Sequence, residues 1–79
     1  MKISVRFFGP AAEKAGCSET EVETEGTVGA VIAVTLKMIP DLKSLSRDMR
    51  YARNSEYASL ECPLEEGDVV SFLPPVGGG

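Results

Sequence analysis

The residues best suited to chemistry are the last six of the sequence, Pro74-Pro75-Val76-Gly77-Gly78-Gly79. Glycine runs inside a chain usually form flexible linkers, but here we expect Gly79 to carry the α-carboxylate. Glycine lacks a Cβ, so this strip of backbone can enter a narrow channel, and the two prolines before it stiffen its base. From Pro75 the tail reaches about 13–17 Å at roughly 3.3 Å per residue. The pattern predicts an arm that presents its own terminus to another protein's active site.

A tail without chemistry is the alternative interpretation, because small residues and disorder are common at chain ends. The apolar run Val69-Val70-Ser71-Phe72-Leu73 directly before the prolines favours the first interpretation. We expect this run to be a buried strand that anchors the arm at its base.

Composition limits the function classes. Seventy-nine residues, of which 43% are hydrophobic, make one small domain with a modest core. The sequence has no apolar run long enough to span a membrane and no secretory signal pattern at Met1, so we expect a cytoplasmic protein. A formal net charge of −4 argues against nucleic acid and suits a basic or mixed protein surface as partner.

Side chains that could catalyse a reaction are scarce. The chain has no histidine and two cysteines, Cys17 and Cys62, which are too widely separated for a metal motif. Without a neighbouring base a cysteine is a poor nucleophile, so we expect two free thiols in structural or surface positions. The alternating glutamates are interpreted as a solvated strand face: Glu19, Glu21, Glu23 and Glu25.

Periodicity predicts the order ββαβββ. Strands are expected at 2–8, 18–24, 49–54, 57–60 and 68–73, with a short helical turn at 11–16. The main helix is predicted to start at an N-cap, Thr27, and to end before Pro40. One helix across one mixed sheet of four to five strands is an α+β arrangement that fits the ubiquitin-like β-grasp. There the first and last strands lie parallel at the centre, which would bury Val5, Phe7, Val70 and Phe72 together.

Several stretches resemble the sulfur-carrier branch of the ubiquitin-like fold, and within it the molybdopterin synthase small-subunit family. The likeness spans nearly the whole chain, and the Pro-Pro-Val element before the terminal glycines is its most specific part. The sequence departs from the family pattern at Ala12, Arg53 and Gly77. The stretches that carry the likeness are Phe7-Phe8-Gly9 with Glu13 and Gly16, Thr27-Val28, and residues 54–57, 63–70 and 73–79.

The resemblance implies a β-grasp domain over residues 1–75 and a flexible tail over 76–79. It implies that the Gly79 carboxylate is adenylated on a separate ubiquitin-activating-type enzyme, which uses ATP, and that a sulfur donor protein then converts it to a thiocarboxylate. The large synthase subunit would take up Val76, Gly77 and Gly78 and use the sulfur to build molybdopterin. The chain itself would bind no cofactor or metal and would be non-catalytic alone.

Strand parity predicts where partners dock. If Phe7 and Phe72 point into the core, Phe8 and Leu73 point outward on adjacent strands, and Tyr57 lies near the sheet edge. Exposed apolar side chains grouped on one face mark interfaces, although single ones are ordinary. We therefore predict that partners bind this face and the base of the tail, through Phe8, Tyr57, Leu73, Pro74 and Pro75.

Three other functions remain open at this point. One is a sulfur carrier for thiamine, tRNA thiolation or cysteine synthesis. Another is a ubiquitin-like modifier whose terminus forms isopeptide bonds with lysines. The third is a β-grasp interaction module whose tail does nothing.

Overall fold

The computed structural model describes residues 1–45 and 47–74. The predicted tail, Pro75 to Gly79, lies outside the described residues. The order of the main elements is the predicted one. Five strands, β1 to β5, are Lys2–Phe7, Glu19–Glu23, Arg50–Arg53, Glu56–Tyr57 and Val69–Leu73; two α-helices, α1 and α2, are Pro10–Ala15 and Val28–Met38; a 3₁₀ helix is Pro40–Ser44.

The strands form one mixed sheet in the order β2-β1-β5-β3-β4. β1 and β5 are parallel neighbours, with Val5 opposite Val70 and Phe7 opposite Phe72. The other pairings are antiparallel. The predicted β-grasp arrangement, with the first and last strands side by side, is therefore confirmed.

β1 alternates between buried and accessible residues, as its period-two pattern predicts. Its inward side chains, Ile3, Val5 and Phe7, meet Phe72 of β5 and the apolar face of α2 in one core. The Phe7 and Phe72 ring centroids are 5.3 Å apart, and Tyr51 of β3 contacts Phe72 edge-on at the same distance, 5.3 Å. β5 is thereby packed from both sides at its tail-proximal end.

α2 begins where the sequence predicts. The Thr27 Oγ1 accepts a hydrogen bond from the Ala30 N–H at 3.3 Å, which satisfies one of the free N–H groups of the first turn. The face of α2 toward the sheet buries Val28, Val31 and Ile32. Thr35 is fully buried on the same helix because its hydroxyl donates to the Val31 carbonyl at 2.8 Å.

β4 corrects one prediction. A strand was expected at 57–60, but β4 is Glu56–Tyr57 and the chain then leaves the sheet. The cause is a competing interaction, since the Leu60 carbonyl accepts the Gly29 N–H of α2 at 2.8 Å. Likewise β1 ends at Phe7 rather than at Phe8, although the Phe8 N–H still donates to the Phe72 carbonyl at 3.1 Å.

Candidate functional site

The base of the tail is held at the centre of the sheet. β5 hydrogen-bonds to β1 on one side and to β3 on the other as far as Leu73. Pro74 follows and lies against Gly9, where an added Cβ would stand 3.7 Å from the Pro74 Cγ. Gly9 has φ 57° and ψ −132°, a conformation that is open essentially to glycine alone. The anchoring strand predicted before the prolines is present, so the tail starts from a fixed point.

The outer face, defined as the sheet face opposite α2, carries the predicted docking residues. Phe8 is 44% exposed and Tyr57 is 67% exposed, whereas Leu73 is half-buried. Tyr57 and Leu73 line the same depression of about 230 Å³ together with Ala52 and Ser55. Phe7 pairs with Phe72, and both point inward. The next residues along the two strands, Phe8 and Leu73, therefore share the outer face. The three side chains lie on one face, and their role in binding remains a prediction.

Small side chains explain the shape of the outer face. One row across four strands runs from Arg6 through Ser71 and Ala52 to Tyr57. Ser71 and Ala52 are each only 6% exposed, since they lie between longer neighbours. The centre of the face is therefore a trough at Ser71, two residues before the end of β5 at Leu73.

Opposite charges on the outer face lie on the neighbouring strands β1 and β2. In the register of β1 and β2, Arg6 is opposite Glu19 and Lys2 is opposite Glu23. Opposite charges at facing positions are mildly stabilising. The three glutamates of β2 are exposed, as predicted for a solvated strand face, and Glu25 lies beyond the strand.

A polar cluster fixes the start of β5. Asp68 accepts hydrogen bonds from the Arg53 Nε at 2.7 Å, the Glu65 N–H at 2.8 Å and the Asn54 Nδ2 at 3.3 Å. The Glu65 N–H and then the Arg53 side chain hold the pKa of Asp68 below its ordinary value. The hydrogen bond to Asp68 raises the pKa of Arg53 in turn. The sequence predicts a turn at Asn54 but gives no sign of this cluster, because its members are distant in the chain.

Two further surface residues were missed by the sequence interpretation. Arg50 is exposed and stands opposite Leu73 in the β3–β5 register. Leu60 is 47% exposed, in the segment that was expected to be strand. Strand parity is the signal that could have placed Arg50 on the outer face, because Tyr51 next to it packs against Phe72 on the inner face.

The described residues include no histidine and no metal cluster that could activate a carboxylate. The chain has no histidine, and residues 1–45 and 47–74 hold no metal-binding cluster of three or more acidic or cysteine side chains. Cys17 is exposed and Cys62 half-buried, both as free thiols. No helix in the described part of the chain is long and apolar enough to cross a membrane.

Comparison with known proteins decides the family. The model of the ThiS family matches residues 5–79 of the chain. The chain belongs to the ThiS family. A molybdopterin synthase sulfur carrier subunit of Mycobacterium tuberculosis is 32% identical over 84 aligned positions, covering 100% of this chain and 99% of that protein. The predicted resemblance to sulfur carriers of the molybdopterin synthase type is thus confirmed.

Solved structures support the same placement of this ThiS family member. SAMP1 of Haloferax volcanii, a small archaeal modifier protein, superposes with a TM-score of 0.90 at 27% identity, covering 100% of both chains. A chain from the complex of subunits 1 and 2 of the Helicobacter pylori molybdopterin-converting factor has a TM-score of 0.75 at 32% identity, also over 100% of both chains. The ubiquitin-like fold is shared with carriers and with modifiers.

Proposed function

We propose that this ThiS family member is a sulfur carrier for molybdopterin synthesis that works through the carboxylate of Gly79. The observation that carries the proposal is the family match, which runs through residue 79. The relative from Mycobacterium tuberculosis, a sulfur carrier subunit, aligns with the whole chain. A body that holds the base of the tail rigidly, as β5 does between β1 and β3, suits that task.

The chemistry requires a second protein. A carboxylate is a poor acyl donor, so it must first attack the α-phosphate of ATP to form an acyl-adenylate and release pyrophosphate. The outer sulfur of a persulfide on a donor protein then attacks the acyl carbon and AMP leaves, which gives an acyl disulfide. A thiol next attacks the donor's sulfur, so that the S–S bond breaks, the thiocarboxylate is released and the donor is left as a disulfide. With no histidine and no metal cluster among the described residues, this chain depends on an adenylating enzyme for activation.

The partner that consumes the sulfur is proposed to be the large molybdopterin synthase subunit. The Helicobacter pylori neighbour was solved as a complex of subunits 1 and 2 of the converting factor, and the chain of that complex that resembles this one is matched over its full length. We infer that Val76, Gly77 and Gly78 enter the large subunit, since glycine has no Cβ and can pass through a narrow channel. Phe8, Tyr57, Leu73, Pro74 and Pro75 would contact its surface.

Protein modification is the second candidate function. It is favoured by the likeness to SAMP1, with a TM-score of 0.90, because the same acyl-adenylate can acylate a lysine amine instead of a sulfur nucleophile. Sulfur transfer for thiamine or tRNA thiolation would use the same thiocarboxylate. These functions diverge only after activation.

Intact-protein mass spectrometry tests the proposal. The wild-type chain is incubated with the adenylating enzyme from the same genome, ATP and a sulfur source. We expect a mass increase equal to the replacement of one oxygen by sulfur. Gly79→Val should remain unmodified, because a side chain crowds the acyl carbon, and its circular dichroism spectrum should match that of the wild type.

Other masses separate the candidates. Adducts with other proteins would support a modifier. An unmodified wild-type chain, or a Gly79→Val variant that is still adenylated, would contradict the proposed carrier chemistry. Binding of the large subunit by the thiocarboxylate form distinguishes the molybdopterin pathway from the other sulfur pathways.

A further inference from the structure

A groove of about 540 Å³ lies beside β3, on the side away from β5. One wall is formed by residues 49–51 and the other by residues 57–60, which begin at the last residue of the short strand β4. Because β4 ends at Tyr57, the chain opens away from β3 instead of continuing the sheet. The Leu60 carbonyl is tied to the Gly29 N–H at 2.8 Å, which fixes the second wall. The groove is thus a built feature of the fold.

The groove is mostly apolar but has a cation at its mouth. Leu60 is 47% and Tyr57 is 67% exposed along its wall, so two large apolar side chains face solvent. Arg50 is exposed, and the described residues provide no ion pair for its guanidinium. Arg53, three residues later, is by contrast paired with both Asp68 and Glu65. In a chain of formal charge −4, Arg50 is a local positive site.

The groove is continuous with the base of the tail. Tyr57 lines both the groove and the smaller depression that contains Leu73. Arg50 is opposite Leu73, one residue before Pro74. A protein that binds the tail along the outer face would therefore also contact Arg50 and Tyr57.

We propose that this groove is a second docking subsite for the large subunit that takes up the tail, and that it binds an extended segment with a carboxylate beside an apolar side chain. The carboxylate pairs with Arg50 and the apolar side chain packs against Tyr57 and Leu60. This inference rests on the proposed function, because it assumes that the large subunit binds the tail. It gives Arg50 and Leu60 a role in binding the large subunit, in addition to the uptake of the tail.

The position of the groove favours this occupant over a second copy of the chain. A partner that takes up the tail lies beside Leu73 and Tyr57, and Tyr57 also lines the groove. An acidic segment of that partner gains an ion pair with Arg50 in a setting that apolar neighbours partly shield from water.

The test is calorimetric titration of the purified large subunit from the same genome into the carrier, at low salt and at about 0.5 M salt. Arg50→Glu should weaken binding by about tenfold at low salt, since it replaces attraction by repulsion, and the difference should shrink at high salt. Leu60→Ser should weaken binding severalfold at both salt concentrations. Lys37→Glu, an equal charge change at an exposed position of α2, should bind as the wild type does.

Each outcome decides something. Arg50→Glu binding within about twofold of the wild type, with a normal thermal melt, would overturn the subsite. Self-association of the carrier that is lost in Arg50→Glu, seen by sedimentation, would overturn the choice of occupant. If the wild-type chain forms the thiocarboxylate but does not bind the large subunit, the subsite fails while sulfur activation stands. If neither occurs, the proposed function itself fails.

Discussion

At the residue scale, Asp68 is the best-connected side chain of the described structure. Its carboxylate accepts from Arg53, Asn54 and the Glu65 N–H. Asn54 in turn has φ 56°, and its side chain accepts the Val69 N–H at 3.1 Å. The cluster joins the β3–β4 turn to the first residue of β5, so it sets where the central strand begins.

We expect Asp68→Ala to lower the thermal midpoint of unfolding at neutral pH, because three donors lose their acceptor. The pKa of Asp68 is lowered from 3.8 in the folded state, so the charged carboxylate favours folding. This stabilisation is complete above the unfolded pKa and is lost as pH falls through the lower folded value. The midpoints of wild type and Asp68→Ala should therefore converge below about pH 3.8.

Differential scanning calorimetry across pH checks this expectation. Glu25→Ala is the control, since Glu25 is an exposed carboxylate that lies outside the cluster. It should melt close to the wild type at neutral pH. A constant gap between Asp68→Ala and wild type at all pH values would show that the charge of Asp68 contributes nothing.

At the element scale, the first turn of α2 and the segment 60–63 form one unit. The Val28 N–H donates to the Cys62 carbonyl at 2.9 Å and the Gly29 N–H to the Leu60 carbonyl at 2.8 Å. Thr27 also bridges to Pro63. A capping box usually has Glu or Gln at the N3 position, which is Ala30 in this chain. The backbone contacts with segment 60–63 take the place of that missing side chain.

Gly29→Val should destabilise the protein by about 1–3 kcal/mol through overpacking. A Cβ at this position would lie 3.1 Å from the Leu60 carbonyl oxygen and 3.3 Å from the Leu60 Cβ. The Leu60 backbone is held in place, because its carbonyl accepts the hydrogen bond of the Gly29 N–H. Urea unfolding measures the loss.

Ala33→Val is the control for Gly29→Val because Ala33 is exposed on the same helix. It should cost no more than about 0.7 kcal/mol, the ordinary helix-propensity penalty of a β-branched residue. Equal losses of unfolding free energy in the two variants would contradict this expectation and would mean that the segment 60–63 moves to accommodate the larger side chain.

The elements with strong local signals were predictable. β1 alternates, α2 has its cap and its apolar face, and Gly16 ends α1 in a left-handed conformation. What the sequence could not give depends on distant partners. β4 is short because α2 binds the Leu60 carbonyl, and neither the Asp68 cluster nor the groove follows from any local pattern. The outward direction of Phe8 was predicted correctly because strand parity is a local property.

At the scale of the whole molecule, the two faces of the sheet have separate tasks. The inner face buries Phe7 and Phe72 against α2 and is responsible for stability. The outer face leaves Phe8 and Tyr57 in solvent, and its depression reaches Leu73 at the end of β5. Substitutions on the two faces should therefore have separable effects.

Phe8→Asp should weaken binding of the large subunit by about tenfold or more, because a charge would be buried at the predicted interface. Its thermal midpoint should stay within a few degrees of the wild type, since Phe8 is 44% exposed. Titration calorimetry and thermal melting measure the two effects. Loss of the fold, or unchanged affinity in a folded variant, would contradict the assignment of Phe8 to docking.

The central position of β5 has a consequence for biosynthesis. β5 is the last strand in the sequence, yet it joins β1 to β3 in the middle of the sheet. A nascent chain that has released only the first four strands holds two separate hairpins with no shared neighbour, and non-local pairing of this kind forms late. Folding of the sheet must therefore wait until β5 has left the ribosome, and a chain truncated before Val69 is a product that proteases can recognise as unfolded.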